Sequence, residues 1–172
     1  MAEPLCVYVL IDHSASMNGA ALESLRQGVQ VLLSAFEGYR VRPLKVSLLT
    51  FESTPTLLTP LSDAQAEEFT TDVSLILATL ETAGASNLGK ALRRLAESLS
   101  EGTHNILYLF SDGNFTDNWQ AALEALRPNL RRLYAVACGM AANRETLAVA
   151  DQVLLVGNLT ADALLTTLRT AK

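Results

Sequence analysis

The chain has 172 residues, of which 49% are hydrophobic and 18% are charged, and its formal net charge is -5. This length suits one domain with a full hydrophobic core, and the composition excludes a disordered protein. The negative charge argues against non-specific binding of nucleic acid and provides no polybasic anchor for anionic membranes. No apolar run approaches the ~20 residues that a membrane-spanning helix needs, so we expect no membrane span.

The N-terminal stretch MAEPLCVYVLID does not resemble a signal peptide. Glu3 stands where a basic residue is expected, and the apolar run is short and ends at Asp12. The two cysteines, Cys6 and Cys138, both lie in apolar runs. We interpret them as buried free thiols of a cytoplasmic protein, because a disulfide between them would need neighbouring strands and an oxidising compartment.

The first part of the chain predicts a strand, a long helix and a hairpin. Leu5–Ile11 is a nearly continuous apolar run, which is typical of a strand covered on both faces in a parallel sheet. Apolar residues with helical spacing then predict a helix over about 19–38. Two strands at 46–51 and 56–58 are separated by the turn residues Ser53-Thr54-Pro55, which predicts an antiparallel pair.

The remaining segments alternate between helix and strand. After the hairpin, Ser62 or Asp63 is predicted to cap a short helix that ends at Phe69, and a second helix is predicted over 73–80. The later predicted elements are a helix from 88 to 99, a strand at 106–110, a helix at 119–126, a strand at 133–138, a short helix at 145–150, a strand at 153–156 and a helix at 161–169.

This alternation predicts an α/β fold. We expect a doubly wound, Rossmann-like three-layer sandwich, in which helices cover both faces of a mostly parallel central sheet. The hairpin adds one antiparallel edge strand. Since the sequence contains no linker, internal repeat or low-complexity stretch, we predict that residues 1–172 form a single domain.

Oxygen-bearing side chains follow two of the predicted strands. Asp12 and Asp112 are each the first carboxylate after a buried run, so both should lie at the carboxyl edge of the sheet, where such folds bind ligands. Ser14 and Ser16 alternate with Asp12, so an extended loop would direct their oxygens to the same side. The loop GASN adds the hydroxyl of Ser86. These five hard oxygen donors suit Mg²⁺, with Mn²⁺ or Ca²⁺ as competitors.

These stretches resemble the metal-ion-dependent adhesion site of von Willebrand factor A (VWA) domains. That family combines Asp-x-Ser-x-Ser, a Gly-x-Thr loop before a helix and a later Asp-Gly; this chain has DHSAS, GASN and SDG in the same order. One departure is Ser86 in place of the usual Thr. The resemblance implies a VWA fold and a divalent cation that binds an Asp or Glu of a partner protein. It assigns the cation to Asp12, Ser14, Ser16, Ser86 and Asp112.

A narrower resemblance concerns SDGNFTDNW, residues 111–119. It is similar to a stretch of bacterial tellurium-resistance VWA proteins of the TerY type, with Ser111 in place of Thr and Phe115 in place of Pro. This resemblance implies a small cytoplasmic stress-response protein. It also implies protein partners, such as a kinase or phosphatase encoded nearby.

An enzyme is the alternative. An Asp after the first strand also begins the motif of haloacid-dehalogenase-like phosphatases, but these need a second Asp two residues later, where this chain has Ser14. The sequence contains neither a Gly-x-Ser-x-Gly elbow nor a P-loop, and neither His13 nor His104 has an evident role as a general base. We therefore predict a binding module with no catalytic residues.

Residues near the motifs have simpler interpretations. Thr116-Asp117-Asn118 is predicted to cap the helix that begins at Trp119, and Trp119 itself to be half-buried packing. His13 should point away from the oxygens on either side of it. Phe115 either offers an apolar surface to a partner or folds inward.

Overall fold

A computed structural model describes residues 3–101 and 104–170, and its centre is a six-stranded sheet. The strands are β1 (Leu5–Asp12), β2 (Leu44–Phe51), β3 (Pro55–Asp63), β4 (Asn105–Ser111), β5 (Arg132–Ala137) and β6 (Gln152–Leu155). Their order across the sheet is β3-β2-β1-β4-β5-β6, and every neighbouring pair is parallel except β2 and β3. The predicted mostly parallel sheet with one antiparallel edge strand is confirmed.

Helices cover both faces of this sheet. They are α1 (Ala20–Gly38), α2 (Glu67–Thr79), α3 (Leu88–Ser98), α4 (Trp119–Leu126), α5 (Arg144–Leu147) and α6 (Ala161–Thr170). Apolar residues of α1, α2 and α6 share one core, and those of α3, α4 and α5 share the other. Among the helices of the described residues, none is both long and apolar enough to cross a membrane.

The central strand β1 belongs to both cores because its side chains alternate between the two faces of the sheet. All eight of its residues are buried. Cys6 packs in the core of α3 and α4, whereas Cys138 packs in the core of α1 and α6. The two cysteines are therefore on opposite faces of the sheet, and both are free and buried, as the apolar runs around them predict.

The prediction for residues 62–80 was wrong in two respects. Ser62 and Asp63 do not cap a helix, because pairing with β2 extends β3 as far as Asp63. The carboxylate of Asp63 instead accepts the Gln65 N–H at 2.9 Å and closes a turn. The helix that follows is a single one, α2. It has no glycine or proline, and it buries Phe69, Val73 and Leu77 along one face.

The topology brings two loops together at the carboxyl edge. β1 and β4 are adjacent and parallel, and Ile11 lies opposite Phe110. The strand order changes direction between these two strands, which is where open α/β sheets bind ligands. Asp12 therefore lies next to Ser111, and Asp112 follows one residue later.

Candidate metal site at the carboxyl edge of the sheet

The loop after β1 is built around the carboxylate of Asp12. This residue is fully buried, and its Oδ1 accepts the Ser14 N–H at 2.9 Å. A single 3₁₀ turn follows, and the buried side chain of Met17 anchors it to the core. The hydroxyls of Ser14, which is buried, and Ser16, which is exposed, lie 3.3 Å apart. The two hydroxyls are therefore neighbours on the loop that begins at Asp12.

Two distant hydroxyls meet the second oxygen of Asp12. Ser86 Oγ donates to Asp12 Oδ2 at 2.9 Å, and Ser111 Oγ donates to the same atom at 2.7 Å. Ser86 and Ser111 are both buried. Together with the Ser14 N–H, they give the carboxylate three hydrogen bonds, all of them from electrically neutral donors.

Asp112 begins the loop after β4 and is 5% exposed. Its Oδ1 accepts the Asn114 N–H at 3.0 Å, and its backbone oxygen accepts the Asn143 N–H at 2.6 Å. The next residue, Gly113, has φ 78°, a conformation that L side chains rarely adopt. A Cβ there would also lie 2.7 Å from the Asn143 oxygen, so glycine is required at this turn.

Burial dominates the electrostatics of the site. It raises the pKa of Asp12, and the hydrogen bonds from Ser111, Ser14 and Ser86 offset part of that effect. Burial, followed by the charges of Asp12 and Asp112, also raises the pKa of the Cys138 thiol. Both carboxylates therefore act on the same buried thiol, which is consistent with the adjacent ends of β1 and β4.

The described residues provide no cation that would neutralise this charge. Within residues 3–101 and 104–170, no Lys or Arg forms an ion pair with Asp12 or Asp112. In the described part of the chain, the pKa of Asp12 is shifted by burial and by the hydrogen bonds of Ser14, Ser86 and Ser111, none of which is cationic. Buried charges are normally paired or coordinate a metal, because leaving one uncompensated is costly.

The available donors fit a hard cation. In the described part of the chain, no group of three or more His, Cys, Asp or Glu side chains could hold a metal ion. A cation at this edge would therefore be held by the two carboxylates together with serine hydroxyls. Such an all-oxygen set, which leaves room for water, is the kind that Mg²⁺ and Mn²⁺ accept, and zinc sites favour nitrogen and sulfur instead.

One contributor to the site was missed from the sequence. In the sequence, Ser111 stands out only as a replacement for Thr. In the structure its hydroxyl donates to Asp12 Oδ2 and accepts the Gly113 N–H at 3.0 Å. The signal was present in the parallel pairing of the first and fourth strands, which places a hydroxyl at the end of one strand beside a carboxylate at the end of the other.

The predicted cap of α4 is also corrected. Asn118 occupies the N-cap position, but no side chain there bonds to the helix. The Asp117 carboxylate instead accepts the N–H groups of Gly89 and Lys90, at the start of α3. Local sequence indicates that a capping acceptor exists, but it does not say which helix the acceptor caps.

The remaining side chains near the site fold away from it. Trp119 is 8% exposed, which makes it more buried than predicted. Phe115 packs edge-on against it with ring centroids 5.4 Å apart, so the inward alternative for Phe115 holds. The Nδ1 atom of His13 lies 2.8 Å from the Glu81 backbone oxygen, and its ring makes this contact instead of joining the site.

The fold and the sequence motifs define the family. The profile of the von Willebrand factor type A domain matches residues 7–152, and the chain belongs to this family. VWA domains are generally interaction modules, and some members bind proteins through a divalent metal. The family assignment does not favour a haloacid-dehalogenase-like phosphatase. No curated protein sequence matches the chain.

Solved structures at low identity share the fold. An aerotolerance-related membrane protein from Bacteroides fragilis has a TM-score of 0.73 at 13% identity, with 97% of this chain and 98% of that chain covered. The manganese-loaded TRAP protein of Plasmodium vivax has a TM-score of 0.71 at 16% identity, with coverages of 98% and 73%. A von Willebrand factor type A protein from Catenulispora acidiphila has a TM-score of 0.70 at 12% identity, and this chain spans 42% of it.

Proposed function

We propose that the chain is a metal-dependent protein-binding module. Asp12, Ser14, Ser16, Ser86 and Asp112 hold Mg²⁺, with Mn²⁺ or Ca²⁺ as alternatives, and the bound cation captures an Asp or Glu of a partner protein. The observation that carries this proposal is the fully buried carboxylate of Asp12, which receives hydrogen bonds only from neutral groups among the described residues.

The chain's own residues prepare the site by fixing this carboxylate. Oδ1 of Asp12 is held by the Ser14 N–H, and Oδ2 is held by the hydroxyls of Ser86 and Ser111. A bound cation would supply the positive charge that buried carboxylates and a partner's carboxylate can share. Because the serine hydroxyls are already oriented, little side-chain freedom remains to be lost on binding.

The surface above the site leaves room for a partner. Ala15, Ser16 and Gly84, which flank it, are all exposed, and all have small side chains. The loops that carry them are joined directly, because the Ala15 N–H donates to the Gly84 oxygen at 3.0 Å. At these three positions an acidic side chain of a partner would meet only small residues.

The test has two stages. Titration with Mn²⁺, followed by electron paramagnetic resonance, should show binding by the wild type and none by Asp112→Ala. The protein immobilised with Mg²⁺ should then capture a partner from lysate of its source cells, and either EDTA or Asp112→Ala should abolish the capture. Asp151→Ala, which removes a carboxylate from the opposite edge of the sheet, is the matched control and should behave as the wild type. Equal capture with and without EDTA would contradict the proposal.

A cellular context is also part of the proposal. The resemblance of residues 111–119 to tellurium-resistance proteins supports a role in a bacterial stress response, with a kinase or phosphatase encoded nearby as partner. A cytoplasmic location and a single domain over 1–172 stay predictions.

A strain that carries Asp12→Ala should become sensitive to tellurite, whereas one with Asp151→Ala should not. Unchanged resistance of the Asp12→Ala strain would contradict this context, while the metal site would be judged by the titration.

A further inference from the structure

The loop after Asp112 holds the loop that carries Ser86. We infer that Thr116 and Asp117 are positioning residues that fix the Ser86 hydroxyl beside Asp12 and couple the two loops of the site. The inference rests on the proposed function, because the residue that Thr116 and Asp117 hold in place, Ser86, is a proposed ligand of the metal. The clamp formed by Thr116 and Asp117 takes the place of the α4 cap that the local sequence predicts.

Thr116 holds both backbone polar groups of Ser86. The Ser86 N–H donates to Thr116 Oγ1 at 2.9 Å, and the Thr116 N–H donates to the Ser86 oxygen at 2.8 Å. The Thr116 hydroxyl then donates its own proton to Asn87 Oδ1 at 3.0 Å. Since Ser86 is buried, a lost partner for its N–H would not be replaced readily by water.

Asp117 continues the clamp into the helix after Ser86. Its Oδ1 accepts the Gly89 N–H at 2.9 Å, and its Oδ2 accepts the Lys90 N–H at 3.1 Å. A Cβ on Gly89 would lie 2.9 Å from Asp117 Oδ2, so the approach depends on glycine. A carboxylate at a helix N-terminus is also favoured by the helix dipole, which strengthens the attachment of α3 to this loop.

The clamp matters for the proposed metal site because residue 86 is a serine and not the threonine that is usual at this position. A threonine there would have a stiffer χ1 angle, whereas serine relies on its surroundings for orientation. The backbone of Ser86 is held by Thr116, and its hydroxyl is held by Asp12 Oδ2 at 2.9 Å. Asp112 lies at the beginning of the loop that provides Thr116, so a shift of one loop would move ligands on both.

The experiment measures Mn²⁺ affinity and apo-protein stability for matched variants. Thr116→Val keeps the volume and removes the hydroxyl, and it should raise the Mn²⁺ Kd roughly 10-fold, as loss of an outer-shell partner commonly does. Thr116→Ser restores the hydroxyl and should restore the affinity. Asp151→Asn, which disturbs a carboxylate that accepts the Leu133 N–H at the opposite edge, should lower the melting temperature and leave the Kd unchanged.

A second readout does not depend on the metal. In the metal-free protein, Thr116→Val should speed hydrogen exchange of the Ser86 amide, and Thr116→Ser should not. Wild-type affinity in Thr116→Val would overturn the positioning role, and an unchanged Ser86 exchange rate would overturn the clamp itself. If the wild type bound no Mn²⁺, the proposed function would fail and the positioning role with it, while the exchange rate would still decide whether the clamp exists.

Discussion

Two aspartates at opposite edges of the sheet have contrasting surroundings. Asp151 precedes β6 at the amino edge, where it accepts the Leu133 N–H at 2.7 Å and pairs with the Arg127 guanidinium. Asp12 ends β1 at the carboxyl edge and accepts hydrogen bonds from one N–H and two hydroxyls. One carboxylate has a cation from the protein, and among the described residues the other has none.

The pKa values of the two groups follow this difference. Burial alone would raise the pKa of Asp151, but the Leu133 N–H and Arg127 outweigh it and lower the pKa below its ordinary value. Burial raises the pKa of Asp12, because its neutral donors offset only part of the cost. The comparison teaches that a cation of the protein compensates the charge of Asp151, whereas among the described residues no cation compensates the buried carboxylate of Asp12.

The largest expected effect separates the two aspartates by metal affinity. Asp12→Asn should weaken Mn²⁺ binding by more than about 100-fold, since the loss of a ligand exceeds the usual cost of losing an outer-shell partner. Asp151→Asn should bind Mn²⁺ as the wild type does. Titration calorimetry measures the Mn²⁺ affinity of both variants. An equal loss of affinity in the two would contradict the difference proposed between the two aspartates.

Metal should also stabilise only a protein that retains Asp12. At a free Mn²⁺ concentration of about 100 times the Kd, the wild type should gain about 2.7 kcal/mol in the free energy of unfolding. Asp151→Asn should gain the same amount, and Asp12→Asn should gain almost nothing. Urea unfolding with and without Mn²⁺ gives these values. A comparable gain in Asp12→Asn would mean that the stabilising ion binds elsewhere.

Without metal, Asp12→Asn should stabilise the protein at neutral pH. A folded pKa above the unfolded value of about 3.9 means that stability is complete below pH ~4 and is lost as pH rises through the folded pKa. Removal of the charge should therefore raise the free energy of unfolding at pH 7.5, and this gain should shrink as the pH falls toward 4. Urea unfolding of metal-free protein at several pH values tests the sign.

The smallest expected effect is a loss of stability in Asp151→Asn, opposite in sign to the gain expected in Asp12→Asn. Asp151→Asn should lower the stability of the metal-free protein by about 1 kcal/mol or less, because its ion pair is partly exposed. Its lowered pKa means that the contribution is present above pH ~3.9 and is lost as pH falls through the folded pKa. The same urea series measures it, and stability changes of equal sign in the two variants would refute the comparison.

Much of the architecture could be predicted from local patterns. The apolar runs at 5–11 and 106–110 indicated buried parallel strands, and the hairpin at Pro55 indicated the antiparallel edge. The length of β3 could not be predicted, because Ser62 and Asp63 have the character of turn and cap residues. Pairing with β2 decided that they continue the strand, and such pairing is a contact between distant parts of the chain.

The sequence by itself determined that a carboxylate stands at the carboxyl end of β1 and another just after β4, because Asp12 ends one buried apolar run and Asp112 follows the other. The tertiary structure decided how those side chains are held: Ser111 turns to Asp12, and Asp117 caps α3 instead of α4. The physical reason is that periodicity and burial are properties of neighbouring residues. A hydrogen-bond acceptor, by contrast, takes whichever donor the folded chain brings within about 3 Å of it.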